Sequence, residues 1–270
     1  MPSNSVHFSI AKHAQWAPGL DSTQAWQTWL QQAKIIQESD GEPPAVKAMP
    51  AMLRRRARLL GRMALEVAYA CLDDLNDGNA DDAPTEIPTI FCSRHGEVGH
   101  TLELIQTQLD EGTVSPIGFS SAVHNATAGL FSIARKDRSN HIALAAGTSS
   151  VEHAVIEACG LLNDGAKAVL LVNCEQALPP LFHHFEDCIE QAYAWAWLMV
   201  APSTDALNKD KNLTLQWQTA SADRHGQLPP AEQTMPPGLD ILRCYLNGQT
   251  KWERQAGNQH WIWSRHDALA

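Results

Sequence analysis

Three short stretches hold side chains able to do chemistry. Arg94-His95-Gly96-Glu97 follows an apolar run and sets an imidazole beside a guanidinium. That pairing suits phosphoryl transfer, with His95 as the group phosphorylated and a second histidine needed to complete the site. Gly118-Phe119-Ser120-Ser121-Ala122 is a degenerate Gly-x-Ser-x-Gly turn in which Ser120 would be the nucleophile. Its triad would need a later acid, Asp205 or Asp223, and then His260, all in poorly patterned sequence. The plainer reading of Ser120 is a helix cap. His183 and His184 are adjacent, so on a loop they point apart; with no carboxylate at helical spacing they read as surface residues.

The six cysteines, Cys71, Cys92, Cys159, Cys174, Cys188 and Cys244, include no C-x-x-C pair, so no zinc site is expected. Most lie in apolar runs, where a thiol behaves as a small hydrophobe. No metal and no cofactor is expected.

These stretches must be positioned by elements that alternate. Val6 to Ile10 reads as a strand, and a helix starts at about Ser22, its N-cap, with Trp26, Trp29 and Leu30 at helical spacing. Pro50 to Leu75 reads as one long amphipathic helix, and Asn76 to Pro84 as an acidic, turn-rich linker. A strand over Ile87 to Cys92 and a helix over Glu97 to Leu109 follow, broken by Gly112 to Pro116. An Ala/Gly-rich helix from about Ser121 to Ala134 comes next. His141 to Ala146 is an apolar strand, Ser150 to Leu162 a helix, and Lys167 to Val172 a strand. Ala192 to Val200 puts Tyr193, Trp195, Trp197 and Met199 on one face, a strand packed on both sides. Beyond Ser203 the pattern fades to a strand over Leu213 to Thr219, a helix over Leu239 to Leu246 and a last strand over His260 to Trp263.

Alternating strands and helices predict a layered α/β core. A chain of 270 residues can bury one large core or two modest ones. The formal charge of −10 argues against nucleic acid and against a basic membrane patch. It leaves room for a small basic surface facing an acidic partner, and Arg54-Arg55-Arg56 with Arg58 is the one candidate; its plain reading is a solvated helix face. No basic-then-apolar signal pattern opens the chain, and the longest apolar run, Ala192 to Ala201, is too short to span a bilayer. A cytoplasmic protein with reduced thiols is expected.

Ser115 to Ala126, with its Val123-His124-Asn125 triplet, resembles the active-site elbow of ketoacyl synthases. In that family a strand ends, turns sharply at a cysteine and opens a buried helix through a pattern like Ala-Cys-Thr-Ser-Gly-Val-His-Asn. Ser93-Arg94-His95-Gly96-Glu97, Ser115-Pro116 and the Ala145-Ala146-Gly147 turn add to the likeness, which runs from Val6 to Ala201 and is strongest from Ile87 to Leu162. The chain is most similar to the short subunits of aryl polyene pathways, which resemble chain length factors. By contrast, Arg94-His95-Gly96-Glu97 is only a four-residue match to histidine phosphatases.

The resemblance implies an α/β, thiolase-like layered fold with helices packed on mixed sheets. Residues 1–270 would form one domain, with 1–201 the N-terminal half and 202–270 a reduced C-terminal part. It puts Phe119 at the nucleophile position, where a phenyl ring cannot form a thioester. The two histidines that active members carry in the C-terminal half have no counterpart in His225-Gly226, His260 or His266. The chain would therefore be no enzyme on its own. It would pair with a catalytic ketosynthase as a heterodimer and meet an acyl carrier protein through that complex. Leu102, Ile105 and Phe119 would gate the acyl tunnel. Ala126, Gly129, Phe131, Ile142 and Leu144 would face the partner, with His141 to Ala146 continuing one sheet across both subunits.

Overall fold

A computed structural model describes residues 4–73, 86–203, 211–219 and 234–265. The expected linker 76–84, and Asp205, Asp223, His225, Gly226 and His266, lie outside the described residues.

Eight strands form one mixed sheet: β1 Asn4–Trp16, β2 Thr89–Cys92, β3 His141–Leu144, β4 Val169–Glu175, β5 Tyr193–Val200, β6 Asn212–Thr219, β7 Lys251–Ala256 and β8 Gln259–Arg265. Their order is β3-β2-β4-β5-β1-β6-β8-β7. β2 runs parallel to both β3 and β4, and every other pairing is antiparallel. The helices are α1 Thr23–Gln31, α2 Ala51–Arg54, α3 Leu59–Leu72, α4 Val98–Glu111, α5 Pro116–Ala122, α6 Ala126–Arg135, α7 Ser150–Asn163 and α8 Pro237–Leu246.

Side-chain alternation sorts the core into two layers. On β5, Tyr193, Trp195, Trp197 and Met199 pack with α1, α7 and α8, while Ala194, Ala196 and Leu198 pack with α3 and α6. The bulky face builds an aromatic chain: Trp195 lies 4.4 Å from Trp197, which meets Trp263 at 6.3 Å, and Trp252 stacks on Trp263 at 5.5 Å. The small face lets α3 lie close to the sheet. The expected layered α/β architecture, with helices packed on a mixed sheet, is what the chain adopts.

Several expected boundaries move. β1 extends to Trp16 because residues 4–9 pair with β6 and residues 9–16 with β5, with a register shift between Ile10 and Lys12. Each half is held by ladder hydrogen bonds to a different neighbour, so the polar second half needs no apolar alternation. The helix expected over Pro50 to Leu75 is two helices. Ala57 is buried between them, and Arg58 takes an extended conformation (φ −85°, ψ −172°) that stops one helix and starts the next. β4 runs on to Glu175, with Asn173 and Glu175 both buried. β7 was not expected at all; it forms a hairpin with β8 at the Gly257 turn (φ +56°).

The two edges of the sheet differ. β7 carries charge, with Lys251 and His260 bonding Glu253 at 2.7 and 3.0 Å. β3, His141-Ile142-Ala143-Leu144, has no acidic or lysine side chain to blunt it. All six cysteines are free and buried. No helix of the described residues is long and apolar enough to cross a membrane.

Candidate functional site at the ends of the parallel strands

β2, β3 and β4 run the same way, so their C-terminal ends, Cys92, Leu144 and Glu175, open on one side of the sheet. Ligand sites of open α/β sheets form there. The strand-to-helix corner of this chain lies at that end, where β3 turns through Ala145 to Ser149 into α7. Gly147 takes the tight position at φ +56°, a conformation costly for a side chain with Cβ. Ser150 fixes the turn: its Oγ accepts from the Ala146 N–H at 3.0 Å and donates to the Gly147 carbonyl at 2.7 Å. The Trp261 indole donates to Ser149 Oγ at 3.1 Å, tying the corner to β8. One turn on, Glu152 is fully buried and paired with Arg254 at 2.5 Å. α7 is buried along Val151, Ala154, Val155 and Ala158. The corner is thus a sharp strand-to-helix turn at the head of a buried helix, and its residues, Ala145-Ala146-Gly147-Thr148-Ser149-Ser150, include no thiol. Cys92, at the end of β2, is buried beside Asn173, and desolvation pushes its thiol far above the ordinary range.

Phe119 is not at this corner, which corrects the expectation. It lies in the middle of α5, is 63% exposed, and is preceded by α4 and a loop, not by a strand. The reason is local. Ser115 caps α5 by accepting the Gly118 N–H at 2.9 Å, and Pro116 sits at N1. The helix thus starts well before Ser121. It stops at Val123, which is extended (φ −73°, ψ 148°), and α6 begins afresh after Asn125.

The remaining predicted positions divide. Ile105 and Phe119 line one groove of about 420 Å³ between α4 and α5, with Leu104, Leu109, Val114 and Val123. Leu102 does not line it; Leu104, one face over, does. Ala126 and Gly129 border a second cavity of about 270 Å³ with Arg56, Ser121 and Ile133. Phe131 is a further correction: it is buried in the chain's own core, edge-on to Tyr69 at 5.1 Å and Phe91 at 5.7 Å. Ile133, two residues on, is the exposed apolar side chain of α6. Ile142 and Leu144 are partly buried on the β3 edge.

Ser93-Arg94-His95-Gly96-Glu97 and Val123-His124-Asn125 meet in space. His124 Nε2 bonds the Ser93 carbonyl at 3.1 Å, and the Ser93 Oγ accepts from Gly96 N–H at 2.9 Å. Gly96 has φ +59°, and a Cβ there would lie 2.7 Å from the His124 ring. Arg94 turns inward. Its side chain is 2% exposed and pairs with Glu190 at 2.5 Å, Glu175 at 3.6 Å and Asp187. Burial works against its charge, but Glu175 and Glu190 outweigh that and hold it protonated. Burial raises Glu175 to about 7 despite Arg94. It also lowers His95, with Arg94 adding to the effect.

This node binds the β4–β5 connection to the strand ends. Its guanidinium is already committed to carboxylates, so the arrangement does not supply a phosphate cradle. The same pairing occupies Asp187 and Glu190 of the one cluster of metal-ligand type among the described residues, Asp187-Cys188-Glu190. Ser120 Oγ donates to the Ile117 carbonyl at 2.9 Å on an exposed helix, as a plain helical serine does. His260 faces Gln218 and Glu253, on the opposite side of β8 from the corner-facing Trp261. His183 and His184 stand exposed in a 3-10 turn, where His184 packs on Phe185 at 4.0 Å. Of the basic run, Arg58 pairs with Glu103 at 2.7 Å, and Arg55 and Arg56 are exposed.

No curated protein sequence matches this chain. Among solved structures, it is similar to one of the ketosynthase ApeO in complex with its chain length factor ApeC from Xenorhabdus doucetiae. The TM-score there is 0.77 at 22% identity, covering 96% of this chain and 100% of that one. It is also similar to the ishigamide ketosynthase/chain length factor, with a TM-score of 0.60 at 14% identity over 81% and 69% of the two chains. A beta-ketoacyl synthase from Burkholderia phymatum STM815 gives 0.57 at 11% identity over 80% and 65%. At these identities the likeness establishes the fold. The family model for the beta-ketoacyl synthase N-terminal domain matches residues 26–264. The chain belongs to the beta-ketoacyl synthase family.

Proposed function

We propose that this chain is a noncatalytic, chain-length-factor-like subunit that pairs with a catalytic ketosynthase and shapes its acyl tunnel. One observation carries the reading: the corner at Ala145 to Ser150 has the elbow's form without a thiol, while every cysteine is buried elsewhere. Acyl transfer needs an accessible thiolate, and burial drives the other way at Cys71, pushed up to about 12, as at Cys92. The acyl chain is then carried by the partner's cysteine.

Two features support pairing. The β3 edge is short, apolar and unguarded, unlike the charged β7 edge, and an open edge of that kind favours strand addition. Ile142 and Leu144 would lie at the seam, with Ala126 and Gly129 of α6 beside it. The large apolar side chains Leu109, Ile117, Phe119 and Ile133 are also left exposed. The matched complexes of ketosynthase with chain length factor suit this reading.

In the pair, Ile105 and Phe119 close the groove of about 420 Å³ against further chain growth, with Leu104 as its inner wall. Extra methylene units pressed on a packed wall cost about 1–3 kcal/mol, enough to set a length limit. An acyl carrier protein would reach the site through the complex. Products of aryl polyene type are the finer reading, and a cytoplasmic location goes with it. The residues after 202, which add β6, β7 and β8 to the sheet and α8 to one of its faces, would be the reduced second half.

Coexpression with a candidate ketosynthase tests this. The two chains should copurify one to one, and Phe119→Ala and Ile105→Ala should lengthen the product. A monomer that elongates acyl chains unaided would overturn the proposal.

A further inference from the structure

α5 carries Phe119, yet none of its seven residues is buried. A helix so short is not stable by itself, and no apolar anchor fixes it. Beside the Ser115 cap, the polar contact that ties it to α4 comes from one side chain. His100, on the first turn of α4, is 8% exposed. Its Nε2 lies 3.2 Å from the Gly118 carbonyl and 3.0 Å from Ser121 Oγ. The Ser121 hydroxyl donates to the same Gly118 carbonyl at 2.8 Å. Both partners of Nε2 therefore act as acceptors, which assigns the ring proton to Nε2.

Nδ1 lies 3.5 Å from Glu103 Oε2, one turn along α4, without a hydrogen bond, and Glu103 is itself paired with Arg58 at the start of α3. Leu104 completes the seat. A Cβ on Gly118 would stand 3.1 Å from Leu104 Cδ2, so α5 lies as close to α4 as a glycine allows. His100 thus ties α4 to α5 at Gly118 and Ser121, and the first of these lies one residue from Phe119.

We propose that His100 is a positioning residue for product length: through Gly118 and Ser121 it sets where Phe119 stands over the groove. This rests on the gate reading above. His100 touches no reacting atom. Its effect is to hold a loosely seated helix in one place, so that the phenyl ring is a wall and not a flap. Glutamine at this position can place its Nε2 amide near the imidazole N–H and keep the donor; alanine cannot.

The test uses the full chain in complex with its ketosynthase. His100→Ala, His100→Gln and Phe119→Ala are compared by amide hydrogen exchange and by product-length distribution. Losing the donor frees two acceptors, so in His100→Ala residues 116–122 should exchange about tenfold faster, with α3 and β4 unchanged. Products should shift toward those of Phe119→Ala, and His100→Gln should restore both readouts. Unchanged exchange at 116–122 in His100→Ala overturns the proposal. So does faster exchange with an unchanged product distribution when Phe119→Ala alters it. If Phe119→Ala leaves products unaltered, the gate reading fails, and the exchange result still decides whether His100 seats α5.

Discussion

Replacing Arg94 by methionine tests the buried node at the strand ends. Methionine keeps the length and the apolar packing but removes the charge that three carboxylates share. Glu175 and Glu190 have side chains 2% and 3% exposed, so neither can turn to water. Breaking a buried pair by removing one partner costs about 3–5 kcal/mol, and that is the loss expected above pH 8. The cost should depend on pH. Glu175 in the folded chain has its pKa raised to about 7 from 4.5. The folded state therefore holds a proton that the unfolded chain has released. Stability from that proton is complete below about 4.5 and is lost as pH rises through about 7. In Arg94→Met the carboxyl can stay protonated at pH 5.5, so the penalty there should be smaller by roughly 1–3 kcal/mol. Adding Glu175→Gln and Glu190→Gln to Arg94→Met should recover most of the loss at pH 8, because no uncompensated charge remains inside. Urea unfolding followed by the fluorescence of the nine tryptophans reads all of this. A penalty under about 1 kcal/mol at pH 8, or no recovery in the triple variant, would refute the strut. So would marked stabilisation by inorganic phosphate, which would mean that the guanidinium is free to bind it.

Glu175→Gln alone should flatten part of the pH profile. Relative to it, the parent should lose on the order of 3 kcal/mol between pH 4.5 and 8, for the raise from 4.5 to about 7; parallel profiles would count against the shift. Gly238→Ala should be severe, since its Cβ would sit 2.1 Å from Asn173 Oδ1 and 2.7 Å from the Tyr193 hydroxyl. Overpacking there should cost about 3 kcal/mol or more, and Asn173→Ala should relieve part of it, read as a non-additive double-mutant cycle. Ile142→Lys, on the β3 edge, should leave the chain folded by circular dichroism but abolish copurification with a ketosynthase; an intact complex would move the interface elsewhere.

The sequence carried the sheet better than the site. The alternation of Tyr193, Trp195, Trp197 and Met199 marked β5 as a doubly packed strand, and the fold turns on it. The elbow was misplaced because its small residues and Val-His-Asn triplet outweighed a plainer signal. Ser115-Pro116 is a serine cap before a proline at N1, and it opens a helix there. That helix is too short to give a periodic pattern of its own. The strand-to-helix turn after β3 was legible as Ala145-Ala146-Gly147, small residues after an apolar strand, but the φ of +56° at Gly147 that makes it sharp was not. Arg94 had no local signature, because Glu175, Asp187 and Glu190 stand 81, 93 and 96 residues away. Packing, not pattern, also separated Phe131 from Ile133: two positions, about 200° around the helix, decide which of them the core takes.

The central claim is that bond formation belongs to the partner. Intact-mass measurement of both subunits, after the copurified complex is loaded from an acyl carrier donor, reads it directly. The acyl mass should appear on the ketosynthase alone, and the mass of this chain should stay unchanged. An acyl adduct on this chain, at Thr148, Ser149 or any cysteine, would contradict the account.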